Sequence, residues 1–191
     1  MIYERVEPDE LVLDMRELSM RLGFPIDALT YDIKELYESL KTFATPAYCA
    51  VYVNITRQNE TIIVGNARTD SRAMKKVLDG SDGCVLLAAT LGVGVDRLIL
   101  KTAGRSAHDA FVIDALADAM IESLCDRAQN RACADAGTKP RFSPGYADLP
   151  LDFGKEILLL TDAERTLGIK LSESGMMLPK KSVNAIIAIN R

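Results

Sequence analysis

Gly83-Cys84-Val85-Leu86-Leu87-Ala88-Ala89-Thr90 is a compact apolar run of strand length, and Leu91-Gly92-Val93-Gly94-Val95 turns the chain out of it. The glycines of that turn do not make a dinucleotide loop, because Arg97 stands where the third glycine of G-x-G-x-x-G belongs. A short helix is expected from about Asp96 to Thr102 and a long one from Ser106 to about Ala134. Working back from this centre, residues 8 to 22 read as a helix opened by Pro8-Asp9 and stopped by Gly23, and a second helix runs from about Ile26 to Phe43. After Pro46, Ala47 to Thr56 alternate as a strand, a turn near Gln58-Asn59 leads to Thr61 to Val64 as a hairpin partner, and Asp70 or Ser71 caps a short helix ending at Asp79-Gly80. Forward from the centre, a helix covers about Leu151 to Leu167 with Gly168 as its stop. Short extended pieces follow at Ile169 to Leu171, Met176 to Leu178 and Ser182 to Ile189. Strands interrupted by helices without regular alternation predict an α+β fold, with a mixed or antiparallel sheet packed by long helices. We read residues 1–191 as one domain, with an N-terminal helical part at 1–45 and an α+β body at 46–191.

Composition narrows the function classes. The chain has 191 residues, 48% apolar and 26% charged, which suits one ordinary globular domain. Lysine and arginine number 23 against 27 acids, a net charge of −4, with no basic stripe interleaved with aromatics, so nucleic acid is not an expected partner. The N-terminal residues carry no basic region followed by an apolar run, and no apolar stretch approaches the roughly 20 residues that span a bilayer. A soluble, cytoplasmic protein is expected. Cys49, Cys84, Cys125 and Cys133 include no C-x-x-C pair and read as reduced, mostly buried thiols. His108 is the only histidine, so neither a zinc site nor a Ser-His-Asp triad has material to build from, and no catalytic residue is assigned.

Two features carry binding chemistry. The first is Arg141-Phe142-Ser143-Pro144-Gly145-Tyr146, where Pro140, Pro144 and Pro150 each fix φ and Pro144-Gly145 supplies a tight turn. A guanidinium on so stiff a loop offers a planar fork of donors to a carboxylate or phosphate, and the tyrosine offers a ring for a base or a sulfonium. An ordinary surface turn whose arginine pairs with a nearby acid is the alternative. The second is the ridge Asp114, Asp118, Glu122 and Asp126 on the long helix, four residues apart and therefore mutually repelling. Phe111, Ala115 and Ala119 surround these acids, so Asp118 and Glu122 are expected to be partly buried and to need a cation. That cation is either a lysine or arginine from elsewhere in the fold or the ammonium of a ligand.

Four pieces occur in order: Ala115-Leu116-Ala117-Asp118 with Glu122 following, then Arg141 to Tyr146, then Leu167-Gly168-Ile169-Lys170-Leu171-Ser172-Glu173-Ser174, then Met177-Leu178-Pro179 with Ser182-Val183. Together they resemble the activation domain of cobalamin-dependent methionine synthase, over about residues 84 to 190, with only a loose match before residue 80. The resemblance implies a domain that binds S-adenosylmethionine and supports reductive remethylation of an oxidised cobalamin in methionine biosynthesis. By position, Arg141 would bind the ligand's methionine carboxylate, Ser143, Gly145 and Tyr146 would line its bed, and Glu122 would lie near it, with Asp118 a neighbour.

The chain departs from the family in ending before the segment that supplies a further ligand-contacting tyrosine, and the family's N-terminal ligand aspartate has no counterpart that can be placed. A more open pocket, or one completed by a partner, is expected. The stretch between Glu122 and Arg141 is also shorter. The Asp-x-His-x-x-Gly signature of the cobalamin-binding domain is missing, so the chain is expected not to ligate cobalt itself. The resemblance thus implies a stand-alone activation subunit acting on a corrinoid-carrying methionine synthase or methyltransferase subunit, with an electron-donor protein as a further partner. A methyltransferase on another small acceptor, and an interaction module that no longer binds the ligand, are the rival readings.

Overall fold

The computed structural model describes residues 1–26, 30–134 and 136–190. Its centre is the strand expected at Gly83–Thr90, here β5, which is buried along its whole length. That burial has a simple cause. Val85, Leu87 and Ala89 face a helical layer, while Cys84 and Leu86 face a second apolar cluster on the other side of the sheet. A strand covered on both faces loses the polar alternation of a half-exposed one, which is why the sequence shows a continuous apolar run.

β5 pairs antiparallel with β2, Ala47–Gln58, on one side and with β9, Ser182–Asn190, on the other. The expected hairpin forms between β2 and β3, Thr61–Val64, and β4, Ala67–Thr69, extends it. Beyond β9 lies the two-residue β6, Gly137–Thr138. The order across the sheet is β4-β3-β2-β5-β9-β6, and every pairing within it is antiparallel. A separate small ribbon joins β7, Lys170–Leu171, to β8, Met177–Leu178.

One correction concerns the stretch 1–45, expected to be helical. It opens on a strand, β1, Ile2–Arg5, which pairs with Ala47–Ala50 of β2 and so belongs to the sheet. The helix expected over 8–22 is divided. Pro8–Glu10 form a 3-10 turn, and α1, Met15–Leu22, begins only after Asp14, whose carboxylate accepts from the backbone N–H groups of Arg16 and Glu17 at 2.8 and 3.3 Å. An aspartate that caps in this way fixes a helix start where apolar spacing alone shows none. Gly23 ends α1 in the left-handed conformation, as expected. Of the second helix, α2 spans Tyr31–Phe43; residues 27–29 of the expected span lie outside the described residues. Ser71 caps α3, Arg72–Val77.

α4, Val93–Ala103, starts three residues earlier than expected, directly after Gly92 at φ 84°. α5 runs from Ala107 to Ala132, with the Ser106 hydroxyl accepting from Asp109 N–H at its start. At 26 residues it is about 39 Å long and packs its apolar side on the sheet, with α1, α2 and α4 around it. The helix expected over 151–167 is two: α6, Phe153–Leu160, and α7, Ala163–Leu167. The break has a local cause, because the Thr161 hydroxyl bonds back to the carbonyls of Ile157 and Leu158 and Asp162 turns to φ 53°. α6 covers the sheet face opposite α5, placing Phe153 and Ile157 against Leu86 and Ile186. The four cysteines are free and buried, and burial pushes the Cys84 and Cys125 thiols up to about 12. No helix among the described residues is long and apolar enough to cross a membrane.

Candidate functional site

The long helix presents Glu122, Asp126 and Gln129 at helical spacing on one side, and the loop that follows β6 crosses in front of them. Phe142 anchors that loop. Its N–H donates to the Ile186 carbonyl at 2.9 Å and its carbonyl accepts from Ile186 N–H at 2.8 Å, so the segment is stitched to the free edge of β9. Lys139 adds a second stitch, donating to the carbonyls of Val77 and Asp79 at 2.9 and 2.8 Å. In so extended a segment neighbouring side chains point to opposite sides. Phe142 packs on the α6 side of the sheet, while Arg141 reaches the acids of α5.

Arg141 meets three of those side chains. Nη1 donates to Asp126 Oδ1 at 2.6 Å and to Gln129 Oε1 at 3.3 Å, and Nη2 donates to Glu122 Oε2 at 2.8 Å. The Arg141 side chain is 19% exposed, that of Glu122 35% and that of Asp126 67%. Burial works against the charge of Arg141, but its bonds to Asp126 and Glu122 outweigh that cost and hold its pKa above the ordinary arginine value. Nε–H has no partner among the described residues, so the Nε edge of the fork keeps a donor that the acids of α5 do not use. Around this edge lies a cleft of about 510 Å³, walled by Glu122, Asp126, Gln129, Pro140, Arg141, Phe142, Ser143, Tyr146 and Val183.

The far wall is a loop bonded mainly to itself. Tyr146 N–H reaches the Ser143 carbonyl at 3.3 Å, and Gly145 N–H reaches Leu149 O at 2.8 Å. Gly145 is at φ +89°, a conformation that asks for glycine, and a Cβ there would also push aside the exposed Leu151 Cδ2 methyl, 2.9 Å away. It forms the turn behind the wall, whereas Ser143 and Tyr146 line the cleft itself. The Tyr146 ring is 68% exposed. Asp148 ties the end of the loop to α3: its carboxylate accepts from Ser71 Oγ at 2.5 Å and from the N–H groups of Arg72 and Ala73 at 2.7 and 3.1 Å. These donors, the Ser71 hydroxyl first, hold its pKa down to about 2.

The rest of the acid ridge is satisfied from within. Lys181 Nζ bridges Asp114 and Asp118 at 2.8 and 2.6 Å with only 11% of its side chain exposed, and Arg21 of α1 adds a 2.9 Å contact to Asp118. The cation that the ridge called for is thus an internal one at every acid: Lys181, Arg21 or Arg141. Asp118 is a structural neighbour of the cleft. Asp126 and Gln129 escaped the sequence reading as site residues. Their signal was the continuation of Glu122 by one and two turns along the same helix.

A larger cleft of about 800 Å³ lies between α6, α7 and β7. Its cations are already engaged, Lys155 with Asp152, Arg165 with Asp162 and Lys170 with Glu164, and of the ordered motif set it holds Ile169, Lys170 and Leu171 but none of the residues assigned to the ligand. His108 is exposed and next to Asp109.

No family model matches the chain, and no curated protein matches it. Among solved structures, the crystal structure of the MetH reactivation domain bound to AdoHcy superposes with a TM-score of 0.75, over 98% of this chain and 77% of that one. This chain has the fold of the MetH reactivation domain. Sequence identity with that domain is 16%, so the likeness is one of fold, and it extends through the first 80 residues where the sequence match was loose. The expected α+β single domain, with its antiparallel sheet and long helices, is the architecture observed in both.

Proposed function

We propose that this chain binds S-adenosylmethionine in the Arg141 cleft and presents it to a reduced corrinoid held by a partner protein, as an accessory subunit for reductive reactivation. The observation that carries this reading is the half-buried Arg141 fork with an unused Nε–H, lining a cleft together with the Glu122 and Asp126 carboxylates, within a fold whose solved example holds AdoHcy. The residues fit the ligand. A volume of about 510 Å³ suits a molecule of this size, the fork matches a carboxylate, the Glu122 and Asp126 carboxylates suit an ammonium, and Tyr146 offers an exposed ring for the base. S-adenosylmethionine supplies a methyl group already activated on a sulfonium. The chain's own part is therefore positioning: Arg141 fixes one end, Glu122 stays within reach of the neighbouring ammonium, and the loop from Ser143 to Tyr146 bounds the bed. No general base is required of it. A corrinoid-carrying methionine synthase or related methyltransferase would provide the acceptor, and a separate electron donor would keep that acceptor reduced.

Calorimetric titration of the wild type and of Arg141→Ala with S-adenosylmethionine tests the reading. Binding by the wild type that is lost in the variant supports it. No binding by the wild type overturns it, and equal affinity in both removes Arg141 from the site. Methyl transfer to a small acceptor without any corrinoid protein would instead favour a free-standing methyltransferase.

A further inference from the structure

Three charged side chains line the cleft, and they do not balance: Glu122 and Asp126 are met there by Arg141 alone. The surroundings offer little relief: Arg21 acts on Glu122 through space but makes its bonds elsewhere. Lys181 is committed to Asp114 and Asp118, and Arg21 is shared between Asp118 and Glu17. Cys125, next to Asp126 in the chain, is buried and neutral, its thiol pushed up to about 12. A carboxylate ligand alone would therefore meet a site that already has one negative charge too many. A ligand that brings its own positive charge is favoured instead.

Resting on the S-adenosylmethionine reading, we propose that Asp126 sets the charge preference of the cleft, leaving one uncompensated carboxylate that favours the sulfonium form of the ligand over its neutral thioether. Asp126 suits this part better than Glu122 does. Its carboxylate is the more exposed of the two, at 67% against 35%, and so is open to the cleft and the solvent. Arg141 would remain held without it, because Nη2 stays on Glu122 and Nη1 stays near Gln129 Oε1. S-adenosylmethionine carries a sulfonium, an ammonium and a carboxylate, whereas S-adenosylhomocysteine lacks the sulfonium charge and is otherwise alike. Transfer of the methyl group removes the very charge that Asp126 favours, so the hold on the ligand weakens as product forms. For two unit charges separated by an assumed distance on the order of 8 Å, in a medium between bulk water and a protein surface, the relative affinity changes by roughly three- to thirtyfold.

The test is a pair of titrations, with S-adenosylmethionine and S-adenosylhomocysteine, on the wild type, Asp126→Asn and Asp126→Glu, at low and high potassium chloride. The wild type is expected to prefer the sulfonium, with the preference shrinking as salt rises. Asp126→Asn is expected to lose about three- to thirtyfold of that preference, mainly through weaker S-adenosylmethionine binding, while Asp126→Glu keeps it. Equal affinity of the wild type for the two ligands, or an unchanged ratio in Asp126→Asn, overturns the proposal and leaves the ligand assignment standing. Binding of neither ligand by the wild type overturns the ligand assignment and the proposal with it.

Discussion

The two halves of α5 carry the same pattern, a pair of acids four residues apart, and end in opposite states. In the N-terminal half, Asp114 and Asp118 close on two cations, the largely covered Lys181 just before β9 and an arginine from α1. In the C-terminal half, Glu122 and Asp126 share one arginine whose Nε–H they do not use. Identical spacing therefore says little about function. What separates a structural cluster from a binding one is whether the donors and charges are used up.

That contrast can be broken most sharply at its two cations. Arg141→Ala should lower affinity for S-adenosylmethionine by about a hundredfold, the loss expected for a bidentate charge-assisted contact, with a smaller stability loss than at Lys181, because Glu122 and Asp126 are the more exposed acid pair; titration and calorimetry together check this. Lys181→Met should do the reverse. Removing a nearly buried ammonium leaves Asp114 and Asp118 repelling each other, and a loss of about 2 kcal/mol is expected in urea denaturation, discounted for the partial exposure of both acids, with ligand affinity kept. If Lys181→Met abolished binding while leaving stability intact, the two halves would not be distinct.

Smaller effects sharpen the contrast from the loop side. Gly145→Ala should cost about 1 to 2 kcal/mol of stability, because its φ of +89° disfavours a side chain, and the same variant should weaken ligand binding by moving the cleft wall. The smallest effect is acid dependence at the loop's end. The Asp148 carboxyl is held below its unfolded value, so the anchor contributes above about pH 4 and its contribution is lost as pH falls towards 2. Asp148→Asn should remove that part of the acid transition, and an acid titration followed by circular dichroism reads the difference.

Legibility followed from how local each cause was. β5 could be read because burial on both faces leaves an unbroken apolar run, and α5 because Ser106 caps it and its apolar side persists for seven turns. β1 could not, since four residues that alternate half-buried and exposed become a strand only through pairing with β2. The division of 151–167 rested on one hydroxyl, that of Thr161, bonding backwards, a choice that spacing does not encode. At the cleft, Arg141, Ser143 and Tyr146 stood out through their stiff loop. The role of Asp126 did not, because it arises only when a loop 15 residues further on folds back across the helix. The first 80 residues share a fold with the reactivation domain with little likeness of sequence, as expected where apolar periodicity and volume matter more than identity.

The loop that walls the cleft is pinned near both ends, by the Phe142 bridge to Ile186 and by the Asp148 cap on α3. Such anchors limit the movement of this wall to the short turn between them, Ser143 to Ala147. Arrival and departure of the ligand then need no slow closing step, and the time a ligand stays is set by the contacts it makes and not by a gate. On the function proposed above, an open front would leave the ligand facing outward, where a corrinoid-carrying protein could reach it.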